Sequence, residues 1–166
     1  MISNKMRILV IVFLIGMILF LSCKKENDNN TIFTGITVTD NVGRISSRDT
    51  TDWKLFENWS EKENSLFDDN LNSACSTGDF DYSIIAYPNP CSGIINLHIS
   101  KPETMRLAFR VVDKNYNVLI TQDSLYSSTI AFNFSYIHIS NETVRIYYKL
   151  YGESCAFRGH GDLKIK

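Results

Sequence analysis

Residues 95–99 read Ile95-Asn96-Leu97-His98-Ile99, so apolar side chains alternate strictly with polar ones. Residues 107–111 repeat this alternation in looser form as Leu-Ala-Phe-Arg-Val. Because successive side chains of a strand point to opposite faces, the pattern predicts strands with one face against a core. We therefore expect the second half of the chain to be built from β-strands, with His98 facing solvent.

Turn-forming residues divide this half into short stretches rich in β-branched and aromatic side chains. The predicted strands cover residues 80–87, 93–100, 105–113, 117–124, 129–135, 143–151 and 162–166. Residues 113–117 form the turn of a hairpin between two of them. Short strands at intervals of about 8–12 residues predict an all-β fold, an antiparallel immunoglobulin-like β-sandwich of about seven strands. Residues 80–166 are thus the sandwich domain.

Residues 32–79 precede the sandwich and have a different pattern. A β-branched stretch at 32–39 predicts a strand that could add to a sheet edge, and residues 44–47 are a candidate return strand. Trp53, Phe56 and Trp59 are spaced by three, which suits one helical face. Ser60 and Glu63 have the spacing of a capping box, so we predict a short helix over residues 60–67 after an aromatic segment.

The first 22 residues have the composition of an export signal. Lys5 and Arg7 precede residues 8–21, which carry no charge and are almost entirely apolar. A helix needs about 20 such residues to cross a bilayer, so this run suits the apolar region of a signal peptide. The run ends at Leu21-Ser22-Cys23 and then becomes abruptly polar.

The ending resembles the lipobox of bacterial lipoproteins: a large apolar residue, a small residue and a cysteine. The resemblance implies that a lipid is attached to Cys23, which anchors the mature chain to a membrane, and that cleavage removes residues 1–22. An ordinary secretory signal with a coincidental cysteine, and an uncleaved anchor, are the alternatives. Residues 23–31 contain no large apolar side chain and are predicted to be a flexible tether.

The tether begins Cys23-Lys24-Lys25-Glu26. It resembles the signal that sends some Bacteroidetes lipoproteins to the outer face of the outer membrane. A plain hydrophilic spacer explains the same residues equally well. We expect an outer-membrane lipoprotein and leave open whether it faces the periplasm or the cell surface.

Charge narrows the range of partners. The signal contains two of the 17 basic residues and none of the 18 acidic ones, so the mature chain has 15 against 18, a formal net charge of −3. A nucleic-acid binder needs a basic face, so this balance argues against nucleic acid. Glycans or other envelope proteins remain as candidate partners.

Three cysteines follow Cys23, at positions 75, 91 and 155. None forms a CxxC pair, so the sequence supports neither a zinc knuckle nor a thioredoxin-like site. Cys75–Cys91 and Cys91–Cys155 are the two candidate disulfides, and three unpaired buried thiols are the alternative.

Tyr87-Pro88-Asn89-Pro90, followed by the alternating strand at 94–99, resembles the opening of the C-terminal sorting domains of type IX secretion cargo. Those domains are small β-sandwiches, and the resemblance covers residues 82–166. Because proline fixes φ and removes a donor, the motif is expected to end one strand and send the chain to the other sheet. The whole chain also resembles small uncharacterised lipoproteins of the Bacteroidetes.

Two features are candidates for chemistry or ligand binding. Trp53 and Trp59 could stack on a carbohydrate, although we favour a role in closing one end of the core. Gly159-His160-Gly161-Asp162 could hold a catalytic or metal-binding His–Asp pair, but a tight turn before the last strand is the simpler interpretation. No nucleophile elbow, phosphate loop or HExxH motif is present in the sequence. We predict a non-catalytic protein without metal or other cofactor, in a structural, adhesive or binding role.

Overall fold

The computed structural model describes residues 33, 35–69, 71, 73–76, 78, 80–137 and 139–166. The predicted signal, Cys23, the tether and His138 lie outside these residues. Within the described part of the chain, no helix is both long and apolar enough to span a membrane.

Two antiparallel sheets form the sandwich that the alternation predicts. The three-stranded sheet has the order β3 (Ser83–Tyr87), β4 (Ile94–Ser100) and β7 (Thr129–Asn133). The four-stranded sheet has the order β6 (Val118–Leu125), β5 (Arg106–Val112), β8 (Thr143–Tyr151) and β9 (Ala156–Lys164). A single 3₁₀ turn, Phe134–Tyr136, follows β7 in the described chain.

The described residues before the sandwich form a hairpin and a short helix. Strands β1 (Val38–Thr39) and β2 (Ile45–Ser47) pair with each other, and β1 also meets Asn89 through a bridge at Thr39. Helix α1 (Glu61–Asn64) is shorter than predicted, but Ser60 and Glu63 form the predicted capping box. The three-residue spacing of the aromatics was misleading, because residues 53–57 run beside β9 instead of forming a helix.

The main core lies between the two sheets. Inward side chains of β4 (Ile95, Leu97, Ile99) face those of β5 and β8, including Phe109 and Tyr148, and all five are completely buried. His98 lies on the opposite face of β4 and is exposed, as predicted. The alternation of the sequence therefore sets the inner face of the sandwich.

A second core covers the outer face of the four-stranded sheet. Phe33, Trp59 and Phe67 pack there against Tyr147 and Tyr151. Trp59 stacks on Phe67 with ring centroids 5.4 Å apart and meets Tyr147 edge-on at 5.6 Å. Strands β5 and β8 are consequently buried on both faces. The described chain before β3, which we call the N-terminal segment, is therefore an integral part of the fold.

Basic side chains on this covered face are paired. Arg145 contacts Asp162 at 2.6 Å, and Lys149 contacts Asp69 at 2.9 Å. Both cations also lie over aromatic rings, Arg145 at 4.4 Å from the Phe33 centroid and Lys149 at 5.1 Å from that of Phe67. Pairing offsets the cost of removing these charges from water.

The disulfide joins Cys75 to Cys155, and Cys91 is a buried free thiol. Both predicted pairings, Cys75–Cys91 and Cys91–Cys155, were wrong. Cys91 instead lies beside the last strand, where its N–H donates to the Lys164 carbonyl at 2.9 Å. The disulfide fastens the N-terminal segment to the start of β9. The neighbouring residues Ala74 and Ala156 also pair, as an isolated parallel β-bridge.

Candidate binding site

An open cleft of about 500 Å³ lies between the edge of β3 and the N-terminal segment. We call it the edge groove. Its lining consists of Gly43, Ile45 and Arg48 from the hairpin, residues 53–56, and residues 82–85. Most of these side chains are apolar, and no described residue of the lining carries a carboxylate.

Residues 53–57 form the wall opposite β3. The N–H of Trp53 donates to the His160 carbonyl at 2.8 Å, and the N–H of Arg158 donates to the Leu55 carbonyl at 3.1 Å. Phe56 and Arg158 are parallel bridge partners. This segment covers the outer edge of β9, which would otherwise present unpaired backbone groups.

The glycines of the Gly159-His160-Gly161-Asp162 motif make this close approach possible. A Cβ atom on Gly159 would lie 1.7 Å from the Lys54 carbonyl oxygen, and one on Gly161 would lie 2.4 Å from the Trp53 ring. The predicted tight turn before the last strand was wrong, because all four residues lie inside β9. The glycines are needed there for contact with the neighbouring segment.

His160 and Asp162 do not act on each other. His160 Nδ1 lies 2.7 Å from a Glu57 carboxylate oxygen, while Asp162 pairs with Arg145. The Asp162 N–H also donates to Asp52 at 2.7 Å. His160 thus contacts the N-terminal segment, and Asp162 contacts both this segment and β8. The two residues form no joint His–Asp centre. No group of three or more metal-ligating side chains occurs among the described residues.

Asp52 directly precedes residues 53–57 and fixes the start of this wall to the rest of the fold. Its carboxylate accepts from the N–H groups of Thr37, at 2.8 Å, and Asp162. Burial raises the pKa of Asp52 from its ordinary value of 3.8 to about 6, and these hydrogen bonds only partly oppose the shift.

The two tryptophans lie in different places. Trp53 stacks on Tyr148 at a centroid distance of 6.1 Å and packs against the main core. Trp59 is only 9% exposed and belongs to the second core. They cannot form a pair of exposed, coplanar rings. The sequence analysis singled out the two tryptophans as ligand-stacking candidates and missed Phe56. This residue lies between them in the chain, lines the groove and is 60% exposed.

The opposite wall is the outer edge of β3. Ile84 pairs with Ile99, whose N–H donates to Ser128 on the far side. In an antiparallel ladder this makes Ile84 and Ile99 a non-hydrogen-bonded pair, so the backbone groups of Ile84 point outward. Ala86 lies two residues further along β3, so its carbonyl also points outward. It accepts a hydrogen bond there from Thr39 Oγ1 at 3.0 Å.

The Tyr87-Pro88-Asn89-Pro90 motif closes the end of β3. Asn89 is completely buried, and its Nδ2 donates to the carbonyls of Thr37 and Asp162 at 2.9 and 2.8 Å. Cys91, two residues further on, donates its N–H to the Lys164 carbonyl at the end of β9, but the chain then continues into β4, which pairs with β3. The predicted crossing to the other sheet was therefore wrong. The motif ties three strands together at one end of the groove.

A second cavity of about 250 Å³ lies over the outer face near β6. Its main charges already have partners. Arg110 pairs with Asp123 at 2.8 Å, and Asp69 pairs with Lys149. Because these groups are neutralised in place, this cavity is the weaker candidate for a binding site.

No family model and no curated protein matches this chain. Among solved structures, it is similar to a DUF3244 family protein with an immunoglobulin-like β-sandwich fold from Bacteroides vulgatus. The identity is 14% and the TM-score 0.38, over 69% of this chain and 98% of that one. The likeness concerns the fold, and the two antiparallel sheets described above establish the β-sandwich independently.

Proposed function

We propose that this chain is a non-catalytic envelope lipoprotein, anchored through a lipid on Cys23, that binds a partner through the edge groove. The anchor rests on the signal and lipobox pattern of residues 1–23. The binding role rests on one observation above all, an open strand edge beside an exposed aromatic side chain. The tether would hold this groove away from the membrane.

The arrangement of charged groups supports a binding role over catalysis. His160 hydrogen-bonds with Glu57, Asp162 forms an ion pair with Arg145, and Lys149 forms one with Asp69. Each contact joins the N-terminal segment or a neighbouring strand to the sheet. None of the three lines the edge groove. The groove combines apolar walls with few polar groups, as binding sites commonly do.

A carbohydrate-binding accessory role is the second candidate. Phe56, Trp53 and Tyr82 give the groove an aromatic lining, and aromatic faces stack on sugar rings. The buried position of Trp59 removes the two-tryptophan platform and leaves Phe56 as the exposed ring. A type IX sorting role has weaker support, which comes from the Tyr87-Pro88-Asn89-Pro90 motif and the basic final residues.

The test is site-specific photo-crosslinking in the intact envelope. A photoreactive phenylalanine analogue replaces Phe56 in one variant and Tyr126 in a control, since both side chains are 60% exposed. We expect a discrete adduct from position 56 and none from position 126. Equal labelling from both positions, or none from either, would contradict binding through the groove.

The anchor is tested separately by intact mass. The membrane-extracted wild type should begin at Cys23 and carry acyl mass, and the Cys23→Ala variant should lose both features. A wild type without acyl mass would refute the lipoprotein part of the proposal and leave the groove result unaffected.

A further inference from the structure

The edge of β3 beside the groove presents backbone groups that lack partners, although Ile84 as a whole residue is only 4% exposed because its side chain lies in the main core. No hydrogen bond within the described chain reaches the outward N–H or C=O of Ile84, whereas the next outward carbonyl, at Ala86, is occupied by Thr39. Ile84 also lines the edge groove. A donor and an acceptor at the edge of a strand form the pattern that a second strand recognises.

Two exposed cations line the groove. The side chains of Arg48 and Lys54 make no hydrogen bond or ion pair with another described residue, although Lys54 interacts electrostatically with Asp49. Among the described residues that line the groove, none is acidic. The covered face of the four-stranded sheet differs, because Arg110, Arg145 and Lys149 there each have a carboxylate partner.

An extended peptide matches both features. Its backbone would pair with Ile84, and its side chains would alternate between two directions. One row would meet the apolar lining around Ile45 and Phe56, which are 38% and 60% exposed. Acidic side chains in the other row would meet Arg48 and Lys54 and neutralise them.

We propose that the edge groove binds an extended acidic segment of a partner protein, which adds as a strand to the open edge of β3. This inference rests on the proposed function, since it names the occupant of the same groove. A second copy of β3 fits less well, because self-pairing would bring the Arg48 and Lys54 side chains of two molecules together. A sugar would leave the strand edge of Ile84 without a backbone partner.

The experiment measures binding of synthetic peptides to the full-length lipoprotein in detergent. One peptide alternates valine with aspartate, and its counterpart alternates valine with lysine. We expect the acidic peptide to bind at least about tenfold more tightly, with an affinity that falls as salt is added. N-methylation of the amides along one edge of the peptide should abolish binding, and N-methylation along the other edge should leave it intact, because only one edge pairs with β3.

Charge-reversal variants provide the matched control. Arg48→Glu combined with Lys54→Glu should reverse the preference to the lysine peptide. Lys114→Glu combined with Lys166→Glu makes the same change in net charge outside the groove, and it should leave the preference unchanged. Equal binding of both peptides by the wild type, or equal effects of the two double variants, would overturn the proposal.

Hydrogen exchange at the Ile84 N–H distinguishes the remaining occupants. Binding of the acidic peptide should slow this exchange by about tenfold or more, which reports strand addition directly. Protection that is already present and disappears on deletion of residues 24–31 would make the chain's own tether the occupant and refute the proposal. Binding of oligosaccharides alone, with an adduct at position 56, would retain the binding function and refute the peptide.

Discussion

A Cβ atom on Gly161 would lie 2.4 Å from the indole ring of Trp53, although the two residues are more than 100 positions apart in the chain. Trp53 lies across β9 and stacks on Tyr148 of β8. The missing side chain of Gly161 therefore allows residues 53–57, one wall of the edge groove, to pack against β9. The contact explains a glycine in the middle of a strand, where it otherwise weakens the ladder.

Gly161→Ala should destabilise the protein, because the added methyl overlaps the Trp53 ring. Overpacking of this kind costs about 1–3 kcal/mol of unfolding free energy. In a Trp53→Ala background the same substitution should cost much less, since the ring is gone. Urea denaturation of the four members of this cycle measures the coupling, and purely additive effects would show that the contact does not constrain the fold.

Removal of the Cys75–Cys155 disulfide should lower stability. The bridge joins residues 80 positions apart, so Cys75→Ser with Cys155→Ser should reduce the unfolding free energy by about 2–5 kcal/mol. Cys91→Ala should cost less, because it leaves the cross-link intact. Thiol labelling of the unfolded, unreduced protein should modify Cys91 alone among these three cysteines, and labelling of Cys75 would disprove the pairing.

Asp52 should make stability depend on pH in the mildly acidic range. Its folded pKa is about 6 against an ordinary value of 3.8, so the folded state holds the proton more tightly than the unfolded chain. The stability from this group is therefore complete below about pH 4 and is lost as the pH rises through 6, by up to roughly 3 kcal/mol.

The Asp52→Asn variant isolates this effect, because asparagine does not titrate. The wild type minus variant difference in unfolding free energy should fall between pH 4 and 7. A constant offset is expected as well, since the asparagine amide cannot accept from both Thr37 and Asp162. A difference that stays flat or rises with pH would contradict the raised pKa.

The Lys149–Asp69 pair should be asymmetric toward substitution. Lys149 is completely buried, whereas the Asp69 side chain is 31% exposed. Asp69→Asn would leave an ammonium group among aromatic rings and should cost about 3–5 kcal/mol. Lys149→Met removes the buried charge and keeps most of the volume, so it should cost considerably less. Guanidinium denaturation compares the two, and a larger loss for Lys149→Met would reverse this assignment.

Local patterns predicted most of the sandwich because they depend only on neighbouring residues. Residues 143–151 were predicted as a strand, and β8 has the same limits. Ser60 and Glu63 capped a helix as their spacing indicated. The last strand was placed too late, because glycine usually indicates a turn and nothing nearby reveals that residues 53–54 pack onto Gly159 and Gly161.

Such local patterns could not predict most of the candidate site. The edge groove combines residues from the hairpin, the aromatic segment and β3, which are up to about 40 positions apart in the chain. Arg48 and Lys54 belong to no sequence motif, and their positions in the groove lining become evident only when the surrounding residues are known. The same applies to the disulfide, because neither candidate pairing from the sequence was the observed Cys75–Cys155 pair.

The alternation of apolar and polar residues was enough to separate inner from outer side chains and to predict the antiparallel β-sandwich. It also supplied the pattern from which we predict the lipid anchor at Cys23. Three features became evident only from the folded chain: the covered outer face of the four-stranded sheet, the unpaired edge of β3, and the Cys75–Cys155 disulfide. Strand periodicity and helix caps arise between residues close in the chain, whereas covered faces, unpaired edges and disulfides depend on which distant segments meet.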